Sequence, residues 1–332
     1  MGRHLTAGAR RAAGRCDRAV RYRLVSSPAG QVNSAGRVPF GARLAAAMHA
    51  AGPLCLGIDP HPQLLADWDL PDTPVGLERF SMTALEAAAE GPDGIAVAAL
   101  KPQVALFERH GSAGLAVLER LLRRARQAGV LTIADAKRGD IGSTMAGYAE
   151  AWLADDAPLA ADAVTLSPYL GYGSLAPAVE LAEATGRGVF ILALTSNPEG
   201  ASVQHAGAAG DAVARVITEA AAGDNARALA AQTDGGTRPA LGPVGLVVGA
   251  TVAEQASRLG LDLAGVRGAL LAPGFGAQGA SGASMRAGFG AAWPSVLATS
   301  SRAILARGPQ MDGLREGIRA AVAELSVPAE DG

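Results

Sequence analysis

Short apolar runs recur along the chain from Pro39 onward. They read 54-LCLGID, 95-IAVAALK, 130-VLTIADAK, 163-AVTLSP, 188-GVFILAL, 244-VGLVVGA, 267-RGALLAP and 295-SVLAT. Each is continuous and is bounded by Gly, Pro or charge, which is the pattern of a strand buried on both faces. Segments with helical spacing separate them, among them 76-GLERFSMTALEAAAE, 112-SAGLAVLERLLRRARQAG and 173-GSLAPAVELAEATG. Strand and helix in alternation require parallel pairing with right-handed crossovers. Eight such units within about 290 residues predict a closed (β/α)8 TIM barrel in a single α/β domain. The first strand runs into G-I-D-P-H-P and not G-x-G-x-x-G, which argues against a dinucleotide-binding sheet. The polar stretch 222–243 reads as a helix end and loop before the sixth strand.

Residues 1–37 break the rhythm. They hold eight arginines against one acid, Asp17, without a helical or alternating apolar pattern. The expectation is a disordered Arg-rich extension, with the barrel over 38–328.

Composition narrows the function. Of 332 residues, 49% are hydrophobic and 18% charged, enough apolar side chains for a large core. The formal net charge of −2 gives no electrostatic case for nucleic acid or a membrane surface. Two cysteines, Cys16 and Cys55, exclude a disulfide scaffold and a four-cysteine zinc site, and fit a cytoplasmic protein. No apolar stretch reaches the length of a membrane span.

The chemistry collects at the C-terminal ends of the predicted strands, where barrel active sites form. Asp59 ends the first strand, Lys101 the second, and Asp135 with Lys137 the third. Ser167 and Pro168 end the fourth, Thr195-Ser196-Asn197 the fifth and 273-PGFGAQ the seventh, while Arg302 follows the eighth. Five charges converging on one face are poor packing choices, because a buried charge is costly unless paired. With a side-chain period of two, Asp135 and Lys137 are expected to point together into the mouth. Asp140 lies beyond them in the turn, within reach of a neighbouring subunit. Flanking anions keep a lysine charged, which suits Lys137 as a proton donor. His61, beside Asp59, reads as a turn residue, and no His, Cys and acid cluster has metal-ligand spacing.

The stretch D-A-K-R-G-D-I-G-S-T (135–144) resembles the signature of the orotidine 5′-phosphate decarboxylase family, in its longer bacterial subgroup. L-C-L-G-I-D-P-H-P, A-L-K-P-Q-V-A-L-F-E, S-P-Y-L-G-Y-G-S-L, T-S-N-P-E-G and A-P-G-F-G-A-Q-G are similar in order and spacing, so the resemblance spans about residues 38–325. It implies a cofactor-free conversion of orotidine 5′-monophosphate to UMP and CO2 in pyrimidine biosynthesis. Lys137 would protonate C6, and Asp135 would crowd the substrate carboxylate and hold Lys137. Lys101 and Asp59 would complete the charge network and bind ribose hydroxyls. Asp140 and Thr144 would serve the opposite subunit's site in a homodimer. Ser196 would meet the pyrimidine amide edge, while Gln278 and Arg302 would bind the phosphate. Many relatives carry Gly-Arg after the eighth strand, whereas this chain reads A-T-S-S-R-A-I. Two rivals stand beside this expectation: a magnesium-dependent sugar-phosphate decarboxylase or aldolase on the same barrel, and a phosphate-ligand binding protein with a dead site.

Overall fold

The computed structural model describes residues 37–90, 96–207, 210–231, 241–276 and 279–326. Residues 1–36 of the Arg-rich extension therefore lie outside the described residues, as do Cys16 and most of the loop expected before the sixth strand, while Arg37 is described and pairs with Asp155 at 2.6 Å.

Eight parallel strands form the sheet: β1 (Leu54–Ile58), β2 (Ala99–Pro102), β3 (Ile133–Arg138), β4 (Ala163–Leu166), β5 (Gly188–Leu194), β6 (Val244–Val248), β7 (Leu270–Pro273) and β8 (Val296–Ser300). Their order is β2-β1-β8-β7-β6-β5-β4-β3. Parallel bridges Leu100↔Thr132 and Gln103↔Asp135 close the remaining seam between β2 and β3. Each predicted apolar run holds one strand, and the architecture is the expected (β/α)8 barrel.

The outer helices follow from their spacing. In Gly111–Gln127, Val117, Leu118, Leu121, Leu122 and Ala125 form one buried stripe. Arg124 and Arg126 lie in the last turn, where cations favour the helix dipole. Such stripes pack on the outward faces of the strands and form one core layer, with Leu56, Leu100, Ala134, Val164, Ile191 and Leu246 on the strand side.

A second, separate core fills the barrel. Cys55, Ala99, Ile133, Ala163, Phe190 and Leu271 meet there with Leu297. A helix before β1, Phe40–Ala51, plugs the lower end with Phe40 and Leu44. The Phe40 and Phe190 rings meet edge to face at 6.0 Å. Room for Phe190 depends on Gly245, its register partner on the adjacent strand β6, because a Cβ there would stand 2.5 Å from the ring. One pleat higher on several strands the inward residues turn polar: Ala99 gives way to Lys101, Ile133 to Asp135, Ala163 to Thr165 and Leu297 to Thr299. The apolar interior is thus the floor of the site.

Candidate active site

Above that floor opens a cavity of about 390 Å3. Its polar wall includes Asp59, Lys101, Asp135, Lys137, Ser196 and Arg302, so all five strand-end charges predicted from the sequence face one space. Leu192, Val247, Pro273 and Phe275 supply an apolar side suited to a flat ring. A larger hollow, about 760 Å3, lies at the opposite end, between the helices Phe40–Ala51 and Met311–Ser326; its described lining contains no carboxylate and no lysine.

Asp135 is the hub. Its Oδ2 accepts from Lys101 Nζ at 2.8 Å and from Gln103 Nε2 at 3.2 Å. Its Oδ1 accepts from Lys137 Nζ at 2.5 Å and from Thr165 Oγ1 at 3.0 Å. Burial alone would raise the Asp135 carboxyl, but the Lys101 and Lys137 ammoniums and the bonds they donate hold it well below the usual carboxylate range. Burial likewise opposes a charged Lys101, and Asp59 and Asp135 overcome it, raising that ammonium above an ordinary lysine. Lys101 Nζ lies 4.0 Å from Asp59 Oδ1. Lys101 and Asp135 are buried, whereas the Lys137 side chain is 45% exposed.

The expected convergence of Asp135 and Lys137 holds, but not through a regular pleat. Ala134 pairs with Val164 and Arg138 with Leu166, so β3 spends four residues where β4 spends two. Lys137 takes a left-handed backbone with φ of 47° inside this bulge. That conformation costs a non-glycine residue roughly 1–2 kcal/mol and is held by its surroundings. The ladder bond lost by Lys137 N–H is replaced by Thr165 Oγ1, which accepts it at 2.9 Å. On the outer side Arg138 pairs with Glu108, donates to the Ala136 carbonyl at 3.1 Å and stacks 5.8 Å from the Tyr148 ring centroid. Gly139 then passes hard against the Ser167 carbonyl, where a Cβ would collide.

The remaining predicted residues divide three ways. Asp140, whose Oδ1 accepts from Ile141 N at 2.8 Å, and exposed Thr144 are absent from the lining of this cavity. Ser196 and Arg302 are exposed at its rim, Arg302 opening the short helix Arg302–Leu305. Gln278 lies outside the described residues. His61 lines the cavity and caps the helix Pro62–Asp67 as a turn residue. Sequence reading missed Gln103 and Thr165, since a neutral side chain gives no charge signal; the available clue was position, Thr165 one pleat above Ala163 and Gln103 one pleat beyond Lys101.

A (β/α)8 barrel with paired lysines and carboxylates at the C-terminal mouth of its strands has the form of a barrel enzyme. More particularly, the chain belongs to the orotidine 5′-phosphate decarboxylase / HUMPS family, whose model matches residues 52–316. It is 54% identical over 278 residues to an orotidine 5′-phosphate decarboxylase of Streptomyces coelicolor, covering 83% of this chain and 93% of that one. The enzyme of the same name from Salinispora arenicola is 54% identical over 277 residues, with the same coverage. Among solved structures, a Streptomyces avermitilis protein assigned provisionally to that activity superposes with a TM-score of 0.79 at 51% identity, covering 89% of this chain and 98% of its own. OMP decarboxylase of Leishmania donovani gives 0.66 at 27% identity, covering 87% and 98%.

Proposed function

We propose that the chain is an orotidine 5′-phosphate decarboxylase, converting orotidine 5′-monophosphate to UMP and CO2 in pyrimidine biosynthesis. The observation that carries this reading is the Lys101–Asp135–Lys137 array, with both ammoniums hydrogen-bonded to one buried carboxylate. CO2 must leave an sp2 carbon that offers no electron sink. The C6–carboxyl bond breaks, its electron pair stays on C6, and a proton from Lys137 Nζ closes the reaction. A preorganised ammonium beside the developing carbanion stabilises charge where it forms. Asp135 stands against the substrate carboxylate and relaxes as CO2 departs, while grip on the remote phosphate by Arg302 and Gln278 offsets that approach. Asp59 and Lys101 take the ribose hydroxyls, and Ser196 takes the pyrimidine amide edge.

Homodimer formation belongs to the same reading. Beside Asp140 and Thr144, Ile141 is 61% and Tyr169 78% exposed, with Leu170 next to it. Large apolar side chains grouped around two loop tips suit a subunit contact. Docked there, a second copy would receive Asp140 and Thr144 into its own site. No described helix is long and apolar enough to cross a membrane, in keeping with a cytoplasmic enzyme.

A magnesium-dependent sugar-phosphate decarboxylase or aldolase would need a carboxylate near the end of β2. Lys101 stands there instead, and its ammonium already bridges the space between Asp59 and Asp135. The deciding experiment follows the absorbance loss of orotidine 5′-monophosphate with and without EDTA. Turnover unaffected by EDTA is expected. UMP binding without turnover would mark a binding protein, and loss of activity in EDTA would favour the metal-dependent rival.

A further inference from the structure

Thr165 is buried on β4 directly beneath the array, yet its hydroxyl makes two bonds that no neighbouring group duplicates. It donates to Asp135 Oδ1 at 3.0 Å and accepts the Lys137 backbone N–H at 2.9 Å. Asp135 Oδ1 is also the oxygen that receives Lys137 Nζ. One small group therefore touches the lysine at its backbone and, through the carboxylate, at its side-chain tip. The bulge makes this necessary: two extra residues on β3 leave Lys137 N–H without a strand partner, in a left-handed conformation that β-carbon sterics disfavour. Val at position 165 would match the volume and remove both bonds. The freed Lys137 N–H would then lie against a methyl group, and Asp135 Oδ1 would keep one donor in place of two.

We infer that Thr165 is a positioning residue for the decarboxylation: its hydroxyl fixes the β3 bulge and thereby aims Lys137 Nζ at the reacting carbon. The inference rests on the proposed activity for its kinetic consequence and on the hydrogen bonds alone for its structural one. It separates two duties that a single mutation of Lys137 confounds. Thr165 lies beneath the cavity wall and is absent from its lining, so it should leave substrate grip at the phosphate and ribose ends intact. A hydrogen bond that orients a proton donor acts on the chemical step, because misplacement of about 1 Å is enough to cost on the order of a hundredfold in rate.

The test compares Thr165→Val, Thr165→Ser and Thr165→Ala in the full-length protein. Expected results are a kcat at least tenfold lower for Val and Ala, a KM within about threefold of wild type, and a kcat for Ser within threefold of wild type. Ser and Ala differ only in the hydroxyl, so their ratio decides the matter even if the Val variant folds poorly. Equal kcat values for Ser and Ala would overturn the inference, as would a Val variant within twofold of wild type. A crystal structure of Thr165→Ala gives a readout independent of turnover: Lys137 Nζ should leave hydrogen-bond range of Asp135 or Lys137 should abandon its positive φ. An unchanged Lys137 overturns the inference whatever the activity. Absence of turnover in wild type would instead refute the proposed function and leave this structural arm to decide on its own.

Discussion

Lys101 lies 2.8 Å from Asp135 but 4.0 Å from Asp59, so one carboxylate holds the buried ammonium and the other only attracts it. Asp59 Oδ1 is buried and makes no hydrogen bond within the protein. A buried acceptor of this kind normally finds a partner, and a substrate hydroxyl is the natural one. Asp59→Ala should therefore lower kcat/KM by roughly ten- to a hundredfold, the worth of a hydrogen bond to a charged group, mainly through KM. Steady-state kinetics with orotidine 5′-monophosphate measure the split.

Lys137 is half outside the core, unlike Lys101. Lys137→Ala should fold normally and lose nearly all turnover, checked by circular dichroism beside the absorbance assay. Retention of more than a few per cent of wild-type activity would refute its role as proton donor.

Subunit sharing has its own test. Lys137→Ala and Asp140→Asn dimers, each impaired alone, should regain activity after mixing and subunit exchange, because some hybrid sites carry neither defect. No recovery in fully exchanged mixtures would place Asp140 outside the partner's site.

Lys101 and Asp135 form a buried pair, and deleting Lys101 takes from the carboxylate one of its two ammoniums. Lys101→Met should cost up to about 3 kcal/mol of stability, the low end for breaking a buried pair because Lys137 remains, read from chemical denaturation. The pair also sets a pH window. Asp135 is more acidic in the fold than the ordinary value of 3.8, so its contribution is present above that value and drains away as the pH falls below it. Lys101 is more basic than the ordinary 10.5, so its contribution is present below that value and is lost as the pH rises beyond it. Between these limits the array adds no slope to the stability curve, and Asp135→Asn should flatten the acid limb.

Burial pushes the Cys55 thiol up to about 12. In a Cys16→Ser background, thiol reagents should leave the native protein unlabelled and react only after denaturation. Labelling of native protein would show that the barrel interior opens.

The sequence made the eight strands legible because both-face burial leaves continuous apolar runs, and the strand-end charges legible because packing gives them no reason to be there. It could not show how Asp135 and Lys137 meet. An even spacing predicts convergence on a regular strand, and the same convergence arises here from a two-residue bulge and a left-handed lysine. Gln103 and Thr165 escaped for a related reason: their importance lies in which oxygen they touch, and a hydroxyl or amide at a strand end has no fixed meaning until the barrel closes. The plug helix Phe40–Ala51 was equally hidden, since nothing in its own spacing says that Phe40 and Leu44 turn inward beneath the strands.

Among the described residues, that plug closes the lower end of the barrel and leaves the cavity open at the mouth. Phe40, Leu44, Cys55 and Phe190 seal the lower end, and the one ionisable group among them, the Cys55 thiol, is kept protonated by burial. In the proposed reaction, a lysine that has given its proton to carbon would be recharged from the mouth, and CO2 released above this floor would leave on the same side. Gas, proton and nucleotide would then share that side, past the exposed flank of Lys137.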